Sequence, residues 1–469
     1  MSSSGWTDES RLFFRKHSLA FLSDHCLEEG DKPALIAFTV EGREDFSRAT
    51  LADWSARLGE GLRRDGLKPG ETVLVLAPSS PSCIAAMLAI LRAGGCVTPL
   101  DVQMNDSHLG HVFENSEARR VFTTKRLRKR LEHLGRAQSC RISLLDEEEG
   151  EPDSWRNLLA EAWGEPAGVH GDERAMLFYT SGTTGLPKGV PLSHANLLAQ
   201  IRSIEQTGMM TERDRMLLPL PLHHVYPVTI GVLSPLALKA PIVLPAGLTG
   251  PAITRAMRDG RASIVLGIPR LYRAIYEAIQ DRMAASGRLT RLLFQAMLAC
   301  SRLGERVGLH PGRRLFGSLH QKTGPDIRIL ASGGSALDPR LRSNLEALGW
   351  PVMIGYGLTE TAPLLTLRWP SEGRGDSVGR PLEGVELRLD PSVLDSELAG
   401  SSGRAESASG EEPGELLARG SNVFSGYHKM PEETRKSFSG DWFRTGDIAR
   451  FDAQGDRKST RLNSSHRLR

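Results

Sequence analysis

Residues Phe178–Leu192 read F-Y-T-S-G-T-T-G-L-P-K-G-V-P-L, an apolar lead-in followed by hydroxyls, glycines and one lysine. Backbone beside glycine can approach a ligand closely, and hydroxyl side chains add hydrogen-bond donors to the exposed N–H groups. Lys188 adds a mobile positive charge. The segment therefore predicts a cradle for a phosphate. Its glycines are Gly182, Gly185 and Gly189, and its hydroxyl residues are Thr180, Ser181, Thr183 and Thr184.

Two other interpretations of this segment deserve comparison. A Walker-type phosphate loop requires Gly-Lys-Ser/Thr at the start of a helix, whereas here Pro187 precedes the lysine and Gly189 follows it. A polar surface turn without a ligand is also possible, but the length of the run and its bias toward phosphate donors favour binding. The sequence therefore predicts a phosphate held by a loop of a different kind.

Length and composition narrow the class of protein. The chain has 469 residues, 25% of them charged and 40% hydrophobic, with a net charge of +3. Such a length predicts roughly two to four domains or subdomains around a large cleft. The small net charge argues against a dedicated nucleic-acid binder. The five cysteines form no CxxC pair, which predicts reduced, structural thiols in a cytoplasmic chain.

Two segments bear on membranes. Met216–Leu238 contains no Asp, Glu, Lys or Arg and is long enough to cross a bilayer. Its four prolines would break a spanning helix, so we expect a buried strand, a turn and a core helix. Arg119–Arg136 is a basic cluster that could contact an anionic membrane surface, although one solvated helix face is the favoured interpretation. The polar, acidic Met1–Ser10 lacks the pattern of a signal peptide.

Apolar and amphipathic segments alternate from Thr72 onward, as in βαβ units. The acidic, turn-rich Asp146–Pro152 separates a first lobe from a second, which repeats the alternation. After Ser377 short strands flank a Gly/Ser/Glu-rich stretch, which indicates a small β-rich lobe. The strands expected in the second lobe are Ala175–Tyr179, Met216–Leu220, Pro241–Leu244, Ile264–Gly267, Ile327–Ser332 and Val352–Tyr356.

Further candidate site residues follow predicted strands. Gly333 and Gly334 suit close ligand approach, although a plain strand-to-helix turn would have the same pattern. In G-Y-G-L-T-E-T, the ring of Tyr356 can stack on a base, and the carboxylate of Glu360 beside phosphate donors suits Mg²⁺. Asp447, at the end of D-W-F-R-T-G-D, is suited to accept hydrogen bonds from two ribose hydroxyls.

Taken in order, these segments resemble the adenylate-forming (AMP-binding) superfamily of acyl-CoA synthetases, adenylation domains and luciferases. The resemblance covers about Leu35 to Asp456. It implies an α/β fold, in which two βαβ-type lobes with mixed sheets pack together beside a small distorted β-barrel lobe. The matching motifs are Y-T-S-G-T-T-G-L-P-K-G, P-L-H-H-V-Y at Pro221–Tyr226, Y-G-L-T-E and D-W-F-R-T-G-D.

The family layout divides the chain into four segments. Residues 1–170 are expected to form an N-terminal α/β subdomain, and residues 171–376 a second one with the phosphate loop and the acyl site. Residues 377–456 form a small β-rich subdomain, and residues 457–469 a basic tail outside the family pattern. The sequence after Asp456 does not follow the family's pattern for a C-terminal α+β lid, so we expect the lid to be missing and the terminus to be truncated or frameshifted. We therefore expect weak binding of ATP and acyl chain, and poor turnover.

The resemblance implies a two-step ligase. A carboxylate attacks the α-phosphorus of ATP and expels pyrophosphate, and the thiol of coenzyme A then displaces AMP from the acyl-adenylate. By similarity, Thr359 contacts the α-phosphate and Glu360 binds Mg²⁺. The implied catalytic residues are Lys188, His224, Thr359 and Glu360. The implied ATP-binding residues are Thr180, Ser181, Gly182, Thr183, Thr184, Gly185, Lys188, Gly333, Gly334, Tyr356, Gly357, Thr359 and Asp447.

His224 matches the family histidine that borders the acyl site and the thiol channel, although a satisfied core histidine is the alternative. Gly267–Tyr272 and Leu315–Leu337 are similar to the long-chain fatty acyl-CoA branch. That similarity implies a medium- or long-chain fatty acid and peripheral contact with the inner face of a membrane. Two alternatives stay open, namely a fatty acyl-AMP ligase that loads a carrier protein and a non-catalytic acyl or nucleotide sensor.

Overall fold

The computed structural model describes residues 12–25, 29–180, 185–370, 377–392, 413–451 and 457–459. Its strands are β1 (Pro33–Phe38), β2 (Arg43–Ser47), β3 (Thr72–Leu76), β4 (Cys96–Pro99), β5 (Arg120–Thr123), β6 (Arg141–Leu144), β7 (Arg174–Thr180), β8 (Lys188–Ser193), β9 (Met216–Leu217), β10 (Ile242–Leu244), β11 (Ile264–Gly267), β12 (Ile329–Ser332), β13 (Val352–Gly357), β14 (Leu364–Arg368), β15 (Ser377–Pro381), β16 (Val385–Asp390), β17 (Gly414–Gly420), β18 (Phe438–Ser439), β19 (Trp442–Phe451) and β20 (Arg457–Ser459).

The α-helices are α1 (Leu12–Arg15), α2 (Leu22–His25), α3 (Arg48–Arg64), α4 (Pro81–Arg92), α5 (Asp106–Ser116), α6 (Lys125–Leu131), α7 (His194–Thr207), α8 (Val225–Val228), α9 (Ser234–Ala237), α10 (Gly250–Asp259), α11 (Pro269–Ala284), α12 (Arg288–Arg306), α13 (Gly312–Leu315), α14 (Gly317–Thr323), α15 (Pro339–Ala347) and α16 (Pro431–Lys436). Short 3-10 turns occupy Leu19–Phe21, Gly135–Ser139, Trp155–Leu158 and Thr359–Thr361, and a π-helical turn at Thr229–Leu233 joins α8 to α9.

The smaller of the two sheets has the order β6-β5-β3-β4-β7-β8. Its strands run parallel except for β8, which pairs antiparallel with β7. Helix α4 packs against β3 and β4 of this sheet, and its residues from Cys83 to Arg92 are buried. Local sequence explains where α4 begins, because the Ser80 side chain accepts a hydrogen bond from the Cys83 N–H and Pro81 occupies the first turn.

The larger sheet has the order β16-β17-β19-β20-β15-β14-β13-β12-β11-β9-β10-β1-β2, with β18 beside β19. Its centre, from β13 to β1, is parallel, and the strands from β14 to β16 are antiparallel. A mixed sheet thus continues into a small antiparallel half-barrel. The predicted fold class is confirmed.

Strands pair across the domain boundary expected at residue 170. Strand β1 pairs with β10 of the larger sheet, while β7 pairs with β4 of the smaller one. The alternation of segments predicts strands but not their partners, since pairing is decided by which apolar faces can be buried together. The two strands that flank the predicted phosphate loop, β7 and β8, therefore belong to the smaller sheet.

The uncharged segment Met216–Leu238 and the basic tail after residue 456 were both given expectations from the sequence. Met216–Leu238 forms the short strand β9, a turn and the buried helices α8 and α9. No helix in the described part of the chain is long and apolar enough to cross a membrane. Arg457–Ser459, expected to lie outside any strand, forms β20 between β15 and β19. A polar, basic sequence can extend an antiparallel sheet, because its backbone supplies the hydrogen bonds.

Candidate active site

A cavity of about 360 Å³ lies where the carboxyl ends of β4 and β7 face the segments after β9 and β13. Ligands bind at carboxyl ends of strands in α/β sheets because helix starts and loops converge there. Three predicted site residues share this cavity although they are far apart in sequence. Its walls include Asp101, His108, Thr180, Pro187, His224 and Thr359.

The predicted phosphate loop closes a hairpin. Thr180 and Lys188 are partners in the antiparallel pairing of β7 with β8, so no helix begins at the lysine. This geometry explains why the segment departs from a Walker-type loop. A Cβ atom on Gly185 would meet nothing within 4 Å, which leaves the space beside it open. Ser181, Gly182, Thr183 and Thr184 lie outside the described residues.

Gly189 has a different role from the expected ligand approach. A Cβ atom there would lie 3.0 Å from the Cβ of His428 and 3.1 Å from Cδ1 of Leu177. The His428 N–H also donates to the Gly189 carbonyl at 2.9 Å. The glycine therefore allows a protein segment, rather than a ligand, to approach β8.

Lys188 and Glu360 both contact Tyr427, and Lys188 also contacts Glu433; the sequence identified neither Tyr427 nor Glu433. The Lys188 Nζ lies 2.8 Å from Glu433 Oε2 and 5.5 Å from the centre of the Tyr427 ring. The Tyr427 hydroxyl donates to Glu360 Oε1 at 2.8 Å. Burial raises the pKa of Glu360, whereas the hydrogen bond from Lys188 lowers the pKa of Glu433. Tyr427 thus contacts both the Glu360 carboxylate and the Lys188 ammonium group, and Lys188 in turn pairs with Glu433.

Tyr356 and Asp447, both predicted to hold adenosine, are in direct contact. The Tyr356 hydroxyl donates to Asp447 Oδ2 at 2.8 Å, and both side chains are buried. Their strands, β13 and β19, belong to the larger sheet. Gly357 beside them is required by the backbone, because a Cβ atom there would lie 1.8 Å from the Pro363 carbonyl oxygen.

The Gly333–Gly334 turn packs against Tyr226, which ends the P-L-H-H-V-Y motif and to which the sequence assigned no role. A Cβ atom on Gly333 would lie 2.9 Å from Cζ of Tyr226, whose hydroxyl donates to the Ala331 carbonyl at 3.2 Å. Burial raises the pKa of Tyr226. Gly334 has φ +77°, a conformation that favours glycine. The close approach expected at Gly333 is therefore made by Tyr226, within the protein.

His223 and His224 form a close pair of tilted rings beside Asp101. Their ring centres are 4.1 Å apart, and His223 Nδ1 lies 3.8 Å from Asp101 Oδ1. Burial lowers the pKa of His223 to about 4, with a further contribution from His224, while Asp101 opposes the shift. Burial also lowers the pKa of His224. Both rings are therefore neutral near pH 7 and can form hydrogen bonds without carrying charge.

The described residues contain no group of three or more His, Cys, Asp or Glu arranged to hold a metal ion. Glu360 instead offers one carboxylate, of which Oε1 accepts the Tyr427 hydroxyl. Mg²⁺ typically takes one or two carboxylates together with waters and substrate phosphates. The donor set therefore fits Mg²⁺ bound together with a triphosphate better than a protein-only metal site.

The residues missed by sequence analysis fall into two kinds. Asp101 and His108 follow β4, so the rule that ligands bind at carboxyl ends of strands could have identified Asp101. Tyr427 and Glu433 had no comparable signal. They lie 67 and 245 residues from the side chains that they contact, and only the folded chain brings them there.

The chain is similar to known proteins in sequence and in fold. The family model described as AMP-binding enzyme matches residues 22–428. Oxalate–CoA ligase from Arabidopsis thaliana is 28% identical over 439 residues, which cover 89% of this chain and 74% of that protein. Long-chain-fatty-acid–CoA ligase FadD15 from Mycobacterium bovis is 25% identical over 445 residues, which cover 88% and 68%. The crystal structure of ATP-bound MatB from Rhodopseudomonas palustris superposes with a TM-score of 0.72 at 24% identity, covering 94% of this chain and 78% of that one.

The burial of the histidine pair generates a prediction. We expect the His223 ring to titrate near pH 4 instead of about pH 6.5, because the charged form would be desolvated. Histidine Cε1–H signals followed by NMR through a pH series measure this, with His223→Gln identifying the signal. In His224→Gln the pKa of His223 should rise, because the His224 ring no longer contributes to lowering it. A midpoint near 6.5 in the unaltered chain would contradict the geometry.

Proposed function

This chain belongs to the AMP-binding enzyme family, and from that premise we propose that it is an ATP-dependent acid–thiol ligase. It would activate a medium- or long-chain fatty acid as an acyl-adenylate and transfer the acyl group to coenzyme A. The observation that carries the proposal is the shared cavity of Thr180, His224 and Thr359. Lys188 and Glu360 directly follow Pro187 and Thr359, two residues that line this cavity.

The first step needs charge control, because an anionic carboxylate must attack a triphosphate that itself carries several negative charges. Lys188 and the loop that it closes would hold the β and γ phosphates, and Thr359 would contact the α-phosphate. Tyr356 and Asp447 would hold the adenosine. Bound Mg²⁺, held by Glu360, would neutralise charge on the phosphates. Rate acceleration would come chiefly from positioning and electrostatic stabilisation.

The second step needs a path for a thiol. His224 lines the cavity, and its lowered pKa keeps the ring neutral near pH 7. A neutral ring would not attract the anionic AMP and slow its departure. It can still orient an acyl or thiol group through a hydrogen bond. We therefore assign His224 to the boundary between the acyl site and the thiol entrance.

The choice of a fatty acid rests on resemblance to the long-chain branch at Gly267–Tyr272, where β11 ends and α11 begins. FadD15 is named for long-chain fatty acids, whereas another relative is named for oxalate, a two-carbon acid. The family thus accommodates very different acids. A panel of acids must decide among them.

ATP–pyrophosphate exchange tests the proposed function. We expect medium- and long-chain fatty acids to stimulate exchange, and Lys188→Met to reduce it about 100-fold, since one cation at the developing charge is lost. Lys436→Met is the matched control, because Lys436 contacts the other oxygen of Glu433 from an exposed position and should change little. His224→Ala should impair either exchange or thioester formation.

Each alternative outcome has a distinct meaning. Stimulation by oxalate or malonate but not by fatty acids would contradict the fatty acid assignment. Acyl transfer to a carrier protein, with none to coenzyme A, would favour an acyl-AMP ligase. Tight ATP binding without pyrophosphate exchange for any acid would contradict the ligase assignment and favour a nucleotide sensor.

We also propose peripheral contact with an anionic membrane, made by an apolar face of α12. Along this helix Leu289, Leu292, Leu293 and Leu303 are 55–72% exposed, at helical spacing. Exposed arginines, including Arg288, lie on the same helix. Exposed leucines beside arginines fit an interface with anionic lipid headgroups.

The basic cluster considered earlier is a weaker candidate for this contact, because carboxylates already neutralise much of its charge. Three of its cations lie within 3.0 Å of acidic side chains. The pairs are Lys125 with Glu147, Arg128 with Asp153, and Arg130 with Asp106.

Sedimentation with phosphatidylglycerol vesicles tests the membrane contact. The double variant Leu292→Glu/Leu303→Glu should reduce the bound fraction several-fold, because two carboxylates on the apolar face are repelled and must be desolvated. Leu248→Glu is the control, since Leu248 is equally exposed at 67% but lies outside α12. Equal binding by all variants would refute the assignment of this face.

A further inference from the structure

We infer that Tyr427 is a positioning residue of the triphosphate site, acting through Glu360 and Lys188. This inference rests on the proposed function, because it assumes that these two side chains meet Mg²⁺ and phosphate. Tyr427 itself need not touch either ligand. Its role would be to fix the direction of the carboxylate and the location of the ammonium group before the nucleotide arrives.

The geometry places one side chain between two separate parts of the fold. Glu360 follows β13 of the larger sheet, and Lys188 begins β8 of the smaller one. The Tyr427 hydroxyl donates to Glu360 Oε1 at 2.8 Å, while the face of its ring lies 5.5 Å from Lys188 Nζ. The hydroxyl and the ring thus serve different partners, so two substitutions can separate their effects.

Backbone hydrogen bonds hold this tyrosine in place from both sides. The Phe424 N–H donates to the Glu360 carbonyl at 2.8 Å, and the His428 N–H donates to the Gly189 carbonyl at 2.9 Å. The segment 424–428 is therefore bonded to the backbone of Glu360, the candidate metal ligand, and to that of Gly189, which follows the candidate phosphate-binding Lys188. Within the segment, the rings of Phe424 and Tyr427 pack edge to face at 5.0 Å.

The hydroxyl has a definite consequence for the carboxylate. Because Oε1 of Glu360 accepts the phenol, rotation of the carboxylate is restricted and Oε2 keeps one direction. Partners of this kind, which orient a metal-binding side chain, commonly affect metal affinity about 10- to 100-fold. Loss of the hydroxyl should therefore weaken the contribution of Mg²⁺ more than it weakens contacts to the nucleotide alone.

The ring has a separate consequence for the lysine. Lys188 also lies 2.8 Å from Glu433 Oε2, an anion that a phosphate oxygen could replace. A cation above an aromatic face keeps that attraction whatever anion its N–H groups meet. The ring can therefore hold Lys188 near the loop while the lysine exchanges Glu433 for phosphate.

Equilibrium ATP binding, measured by isothermal titration calorimetry at a series of Mg²⁺ concentrations, tests the inference without relying on activity. Tyr427→Phe removes only the hydroxyl and should raise the Mg²⁺ concentration for half-maximal enhancement about tenfold, with metal-free ATP affinity unchanged. Tyr427→Leu removes the ring as well and should also weaken metal-free binding. Tyr276→Phe is the control, because its hydroxyl bonds only to Gln280 among the contacts described.

The outcomes separate this inference from the proposed function. If the unaltered chain binds ATP and Tyr427→Phe requires the same Mg²⁺ concentration, the inference is wrong and the proposed function stands. Equal losses in Tyr427→Phe and Tyr427→Leu without metal would indicate a merely structural role and would also overturn it. If the unaltered chain binds no ATP at any Mg²⁺ concentration, both are wrong.

Discussion

Two backbone hydrogen bonds, from Phe424 to Glu360 and from His428 to Gly189, join the large sheet to the hairpin of the candidate phosphate loop. These bonds hold the segment that carries Tyr427 against both Glu360 and Lys188. Asn196 at the start of α7 adds to the junction, since its side-chain amide donates to the carbonyls of Ser421 and Val423. The cluster of Lys188, Glu360 and Glu433 around Tyr427 is therefore positioned largely by hydrogen bonds of the main chain, which do not depend on side-chain identity.

Much of the fold could be predicted from the sequence, because buried parallel strands have a strong local pattern. All six strands expected in the second lobe are present, although β9 has two residues instead of five. Pairing could not be predicted in the same way. Strand β1 joins β10 across about two hundred residues, and β20 consists of polar residues that local pattern assigns to no strand. Such contacts depend on the whole chain.

Candidate site residues could be predicted where the side chain itself has the chemistry that a ligand needs. They were harder to predict where the packing of the chain decides which group lies beside a residue. Thr180, His224 and Thr359 converge on one cavity, and Tyr356 meets Asp447. Glycines were harder to interpret, because close approach can serve a ligand or the protein. Gly189, Gly333 and Gly357 admit a histidine, a tyrosine and a carbonyl of the chain itself. Only Gly185, among those with described surroundings in the loop, faces open space.

A crystal structure of the chain with Mg²⁺ and a non-hydrolysable ATP analogue tests the central claim most directly. The nucleotide should lie with its triphosphate between Lys188 and Glu360, its ribose at Asp447 and its base beside Tyr356. Lys188 should have left Glu433 for a phosphate oxygen. A nucleotide bound elsewhere, with the loop unchanged and Lys188 still paired with Glu433, would contradict the assignment of this cleft as the site of carboxylate activation.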